Sequence, residues 1–281
     1  MLFSAGMRIL TACLAFAGIV LLISTGLRAQ NLFEEDRFSG TIFEFTPAGA
    51  RSSFASVVNQ YAGLAFDSAG NLFAGSGGSI IKITPSGVQS TFASGLPHPL
   101  GIAFNSAGDL FVADFYAGCI YEFTPDGTQS TFASGLQPES LAFNSAGNLF
   151  AGDNSCNIYE FTPSGARSTF ACCVSVPAGL AFDGAGNLFV SSGGATPGAG
   201  IIYKFTPDGT QSTFASGLSY PIGLAFNSAG ELFEADYNSG TINGGNIYEF
   251  TPDGTQSTFA SGLNAPYFIA FQPVPTDFRI I

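Results

Sequence analysis

The chain has 281 residues, 46% of them hydrophobic and only 10% charged, which excludes a disordered protein and fits a globular core-former. Its 8 basic and 20 acidic residues leave a net charge of −12, which repels the phosphates of nucleic acid and of an anionic membrane surface. The 36 Gly and 15 Pro supply turns for many short strands, and no segment of the repeat region carries a helical period.

Residues 1–29 read as a signal peptide. Arg8 gives a positive start, Ile9 to Leu27 is apolar with small residues mixed in, and Leu27-Arg28-Ala29 offers a cleavage site ahead of Gln30. The apolar run also approaches a membrane span in length, so an uncleaved anchor is the alternative. Cys13 lies before most of that run, not after it, and so does not fit a lipid-attachment box. The expected location is secreted, periplasmic or extracellular, with a monomeric protein that is not inserted in the membrane once the signal is removed.

Residues 30–281 are dominated by one repeat. Thr-Pro-x-Gly recurs with its prolines at Pro47, Pro85, Pro125, Pro163, Pro207 and Pro252, at spacings of 38, 40, 38, 44 and 45 residues. Residues 99–134 show the unit. Leu100 to Phe104 is an apolar strand a, and Asn105-Ser106-Ala107-Gly108 is a turn. Asp109 to Asp114 is strand b, Cys119 to Phe123 strand c, Thr124-Pro125-Asp126-Gly127 a second turn, and Gln129 to Ala133 strand d. Four strands in a period near forty predict a β-propeller.

Strand a occurs six times, ending at Phe66, Phe104, Phe143, Phe182, Phe226 and Phe271, and the last has no strand b after it. Asn31-Leu32-Phe33-Glu34-Glu35-Asp36 matches Glu231-Leu232-Phe233-Glu234-Ala235-Asp236 and supplies the missing strand. The expected fold is therefore all-β: one six-bladed β-propeller over residues 30–281, four antiparallel strands per blade. N-terminal strands b, c and d plus the C-terminal strand a close the ring, which leaves no blade unpaired.

Antiparallel pairing puts the a–b and c–d turns on one face of the disc, where they are nearly identical in every repeat. The b–c hairpins and d–a loops fall on the other face and vary. Loops on a rigid scaffold carry function. The binding candidates there are Tyr61, His98, Tyr116, Asn154, Tyr220, Tyr237 and Tyr267, Tyr being enriched at interfaces. His98, the sole histidine, sits between Pro97 and Pro99 and is expected in solvent.

Glu139 is the catalytic candidate. It takes a position where the other repeats have Ala62, Leu100, Ala178, Ile222 and Tyr267, expected at the channel mouth. A carboxyl among apolar groups there would hold its proton and serve as a general acid or base; a solvated loop glutamate is the plain alternative. Asp36, Asp114, Asp153 and Asp236 form a column at the end of strand b, where Ser76 and Ser192 stand in other repeats. A ring of carboxylates suits Ca²⁺. Equally, each could accept hydrogen bonds from its own hairpin, which Ser also does.

Cys119, Cys156, Cys172 and Cys173 follow the signal without a CxxC spacing, so zinc is not expected. If the turn at Pro163-Ser164-Gly165 sets Thr162 opposite Ala166, Cys156 faces Cys172; a two-residue loop would choose Cys173 instead. Either pairing is within disulfide reach, and export favours a bridge.

Pro-x-Gly-Leu-Ala-Phe-x-x-x-Gly-Asn-Leu-Phe, followed by Ile-Tyr-x-Phe-x-x-x-Gly, resembles the NHL repeat and the SMP-30/gluconolactonase/strictosidine-synthase-like propellers. The resemblance covers nearly all of residues 30–281. In gluconolactonase-like enzymes it implies a divalent metal held by Asn or Asp at the Glu139 position of several repeats and by a Glu from Glu-Gly-Pro. This chain has Glu139 alone at those positions and no Glu-Gly-Pro. Two functions follow. One is an exported, non-catalytic propeller that needs no cofactor and presents the variable face to a protein, peptide or glycan. The alternative is a lactonase-type hydrolase using Ca²⁺ or another divalent metal, with Glu139 and the strand-b aspartates around it.

Overall fold

A computed structural model describes residues 30–57, 63–193, 196–237 and 243–274. The signal segment and Tyr61 lie outside the described residues. Among those described, no helix is long and apolar enough to cross a membrane.

Six sheets of four antiparallel strands form the ring. Blade 1 holds β1 (Leu32–Asp36), β2 (Thr41–Phe45) and β3 (Arg51–Ser56). Blade 2 holds β4 (Leu64–Phe66), β5 (Leu72–Ser76), β6 (Ser79–Ile83) and β7 (Gln89–Ser94). Blade 3 holds β8 (Pro99–Phe104), β9 (Leu110–Asp114), β10 (Cys119–Phe123) and β11 (Gln129–Ser134). Blade 4 holds β12 (Pro138–Phe143), β13 (Leu149–Asp153), β14 (Asn157–Phe161) and β15 (Arg167–Cys172). Blade 5 holds β16 (Pro177–Phe182), β17 (Leu188–Ser192), β18 (Gly200–Phe205) and β19 (Gln211–Leu218). Blade 6 holds β20 (Pro221–Phe226), β21 (Leu232–Asp236), β22 (Gly245–Phe250) and β23 (Gln256–Leu263). The last strand, β24 (Pro266–Phe271), returns to blade 1 and pairs with β1, Leu32 opposite Phe271 and Glu34 opposite Ile269. The ring closes as the sequence predicts.

The repeated turns explain the strand boundaries. In each Asn/Asp turn the side chain caps the loop: Asn105 Oδ1 accepts from Ala107 N at 2.9 Å and Asp109 N at 2.8 Å. In the Thr-Pro-x-Gly turn Gly127 takes φ 87°, a conformation open to glycine, and donates its N–H to Thr124 O at 2.8 Å.

Phenylalanine holds the blades to one another. The second residue of each strand b is Phe33, Phe73, Phe111, Phe150, Phe189 or Phe233. Phe111 packs edge-on against Phe132 of its own strand d and Phe143 of the next blade's strand a, both at 5.0 Å between centroids. The same trio recurs around the ring, as in Phe73 with Phe92 and Phe104. Six apolar clusters, one per blade junction, contain these rings. Edge-to-face geometry adds to the burial of large rings.

Of the two cysteine registers left open by the sequence, the ladder excludes Cys156 opposite Cys172 and sets Cys156 opposite Cys173. Phe161 faces Arg167, as the turn requires, but a bulge between Ile158 and Tyr159 then shifts the ladder by one residue. Asn157, not Cys156, is opposite Cys172. All four described cysteines are free thiols in the structure.

Candidate functional site

Among the described residues, the variable face is built by locking d–a loops to the b–c hairpins of the blades they enter. The strand-b carboxylates do this. Asp114 Oδ1 accepts from His98 N and from Ala117 N, both at 3.0 Å. Asp153 accepts from Gln137 N at 2.5 Å and Ser155 N at 2.8 Å. Asp236 accepts from Ser219 N and Tyr220 N at 2.9 and 2.7 Å, and Asp36 from Phe38 N and Ser39 N at 3.1 and 2.9 Å. In blade 5 Ser192 donates to Ser175 O at 2.6 Å instead. The loop-capping role is therefore visible at Asp36, Asp114, Asp153, Ser192 and Asp236. Among the described residues, no three His, Cys, Asp or Glu side chains gather as a metal-binding group.

The loops surround a pit of about 240 Å³ at the channel mouth. Leu100, Glu139, Ala178 and Tyr267 line it from the column read in the sequence as the mouth. His98 and Phe115 of blade 3, Val176 at the entry to blade 5, and Phe268 complete the wall. Below, the channel narrows to about 60 Å³ between the strands a, room for a few waters. The glycines explain the constriction: a Cβ on Gly101 would lie 2.7 Å from Ser140 Cα, because the next strand a passes there.

Glu139 is half-buried, and burial, then the charge of Asp153, raises its pKa above the ordinary glutamate value. Burial lowers the pKa of His98, with Asp114 opposing. His98 is not the solvated loop residue expected. It stacks on Tyr116 at 4.4 Å between centroids and meets Phe115 edge-on at 6.0 Å. Burial likewise raises the Tyr267 hydroxyl pKa, and the charges of both Arg37 and Glu139 are felt there.

Three of the binding candidates come together. Tyr237 lies 6.3 Å from Tyr220 and 6.2 Å from Tyr267. The Arg37 guanidinium sits 5.1 Å from the Tyr237 ring and 5.4 Å from that of Tyr267, within cation–π range. Tyr116 and His98 form a separate pair. Asn154 is exposed on its hairpin, bonded to Gln137, and does not line the pit.

Sequence reading missed Arg37, Phe38, Phe115 and Val176. Arg37 had a signal: it occupies a b–c hairpin, whereas Arg51, Lys82, Arg167 and Lys204 lie on the outer strands. Val176 had none. Its φ is 45°, a genuine outlier for a β-branched residue. Two serine hydroxyls hold the backbone either side of it, Ser192 on Ser175 O at 2.6 Å and Ser140 on Pro177 O at 2.7 Å. Strain held by its surroundings concentrates at functional sites. Val176→Gly is expected to leave folding stability unchanged or raise it by up to about 1 kcal/mol, since relief of strain offsets the added chain entropy. Urea unfolding checks this; a loss well above that size would mean that the position is not strained.

No family model and no curated protein matches the sequence. Solved structures do match. A chain of the nidogen/laminin complex superposes with TM-score 0.75 and 21% identity, covering 88% of this chain and all (100%) of that one. The fold is shared. Virginiamycin B lyase from Staphylococcus aureus, determined with quinupristin, gives TM-score 0.63 at 17% identity over 88% of this chain and 94% of that one. A gluconolactonase from Xanthomonas campestris gives 0.65 at 16% over 85% and 87%. The resemblance to NHL-type and gluconolactonase-like propellers therefore holds at the level of the six-bladed architecture, which both binding proteins and enzymes use.

Proposed function

We propose that this chain is an exported, non-catalytic binding propeller whose variable face receives a protein, peptide or glycan. One observation carries the reading: the residues that differ between repeats converge on an aromatic-walled pit, while those that repeat are used up in turns. Tyr267, Phe268, Phe115 and His98 wall the pit and Glu139 adds its carboxyl, while Tyr237 and Tyr116 extend the aromatic surface beside it through their contacts with Tyr267 and His98. Phe38 and Tyr116 are 56% and 71% exposed on the same face, large apolar surface available to a partner. The nidogen likeness supports a binding role.

Glycan and peptide arrays probed with the purified protein test this. A ligand found there should bind about 30-fold more weakly to Tyr237→Ala, the loss expected of an aromatic anchor. Asp126→Ala, on the opposite face, should leave it unchanged. Equal binding by wild type and by Tyr237→Ala, Tyr267→Ala and Tyr116→Ala would remove the reading.

The raised pKa of Glu139 is the observation that favours a second, hydrolytic reading. The donor set does not fit the divalent metal of gluconolactonase-like sites: Glu139 is the sole acid in its column, and the strand-b aspartates already bind backbone N–H groups. Lactone hydrolysis by wild type that is lost in Glu139→Gln would establish this reading over the first.

A further inference from the structure

Blade 4 departs from blades 2 and 3 at one place on its outer strands. Where the c and d strands of blades 2 and 3 part, two glycines face each other: Gly78 with Gly95, and Gly118 with Gly135. All four take positive φ, between 67° and 82°. Their pairing follows from the ladder, since Ser79 faces Ser94 and Cys119 faces Ser134 one step inward. Gly135 N also donates to Gly118 O at 3.0 Å.

In blade 4 both positions are cysteine. Asn157 faces Cys172, so Cys156 comes opposite Cys173 one step further out. Cys156 has φ 64° and Cys173 φ 65°, the conformation of the glycines they replace. L side chains adopt it at a cost, here incurred twice on facing residues. A Cβ at the Gly118 position would lie 3.2 Å from Leu136 O on the opposite strand and one at the Gly135 position would meet nothing within 4 Å, so at the equivalent Cys156 and Cys173 no other group stands between the facing side chains. The third thiol adjoins the pair: Cys172 Sγ is 3.5 Å from Cys173 Sγ. Cys172 and Cys173 are exposed and Cys156 is partly so, whereas Cys119 is buried.

We propose that Cys156 and Cys173 form a cross-strand disulfide and that Cys172 is its exchange thiol. The oxidant is a low-molecular-weight or protein disulfide. One thiolate of the pair attacks it, forming a mixed disulfide and releasing one thiol. The second thiolate displaces the other half, so the Cys156–Cys173 bond forms, two external thiols leave and two protein protons are lost in all. Cys172 thiolate can then attack Cys173 Sγ, making a Cys172–Cys173 bond and releasing Cys156 as thiolate, with no net oxidation. Facing residues fall within the Cα separation a disulfide requires. The bond ties the Asn154-Ser155 hairpin to the loop leading to Val176.

The full chain is equilibrated in glutathione redox buffers, quenched with acid, alkylated and mapped without reduction. In oxidising buffer a peptide containing Cys156 should be linked to the one containing Cys172 and Cys173, with Cys119 modified only after unfolding. The link should persist in Cys172→Ser, with exchange against glutathione slowed several-fold, and should be largely lost in Cys173→Ser. A Cys156→Gly, Cys173→Gly double variant should melt above reduced wild type and below oxidised wild type. Cys156 remaining alkylated as a free thiol in oxidising buffer, or linking equally in both serine variants, would overturn the proposal.

Discussion

Replacing Gly179 by alanine is expected to cost about 3 kcal/mol or more and to leave little folded protein. Its Cβ would stand 2.0 Å from Ile222 O and 2.9 Å from Ser191 Oγ. Ile222 O belongs to the strand a of blade 6 and already accepts the Ser191 hydroxyl at 2.6 Å. A rotamer change cannot relieve the clash, because the obstacle is backbone. The blades must separate at their innermost strands, where Leu180 and Leu224 are each 7% exposed and packed. A domain with a total stability of about 5–15 kcal/mol has little reserve for this. Gly184, whose Cβ would meet nothing within 4 Å, is the control and should tolerate alanine within about 0.5 kcal/mol. Urea unfolding of both variants decides the matter. A Gly179→Ala protein as stable as wild type would show that the inner strands have room to move.

Glu234→Val is expected to stabilise the protein by about 2 kcal/mol near pH 8 and by less near pH 5. Glu234 is fully buried, and neither carboxyl oxygen has a hydrogen-bond partner. Equivalent positions hold Ala74, Val112, Ala151 and Val190, so valine fits the site. Glu34 is a second buried carboxyl, 1% exposed in blade 1, with Oε1 unsatisfied. Burial raises both pKa values well above the ordinary one. Asp236 adds to this for Glu234; Asp36 and Glu35 add to it for Glu34, against Arg51. In the unfolded chain a glutamate loses its proton near pH 4.3. The folded protein keeps both protons to higher pH. Stability from these groups is thus complete below about pH 4.3 and is lost as pH rises toward the folded values. The exposed Asp126, Asp208 and Asp253, whose pKa values are lowered by Thr hydroxyls and backbone N–H groups, act in the opposite sense. Wild type should therefore lose stability between pH 5 and pH 8 more steeply than Glu234→Val. Urea midpoints at both pH values measure the difference. A variant less stable than wild type at pH 8 would mean that the carboxyl has a role the burial argument omits.

The repeat made the architecture readable before any coordinates. Turn chemistry located the strands to within about a residue or two of β8 to β11, and the match of Asn31–Asp36 to Glu231–Asp236 gave the ring closure. Leu100, Glu139, Ala178 and Tyr267 of one sequence column line the pit, because a periodic sequence places equivalent residues at equivalent radii. The remainder was illegible for physical reasons. The bulge between Ile158 and Tyr159 recurs in the other blades without a residue type that marks it, so the sequence left Cys172 and Cys173 both open as the residue facing Cys156. Arg37 meets Tyr237 and Tyr267 from different blades, a contact that one repeat cannot show. Glu34 and Glu234 are charged types usually found at the surface, yet they stood in a column of Ala and Val. That column was the available signal of burial.

The closing strand also sets an order of events during synthesis. About 235 residues separate Glu34 from its partner Ile269, and ribosomes add roughly 5–20 residues per second. For roughly 10–50 s the inner margin of β1 has no neighbour, a template on which another nascent chain could add. Glu34, Glu35 and Asp36 lie along that margin. Ionised in the waiting chain, they repel a second copy of themselves; once β24 encloses Glu34, burial raises its pKa and disfavours that charge. The same carboxyl that weakens the finished ring guards it while it is incomplete.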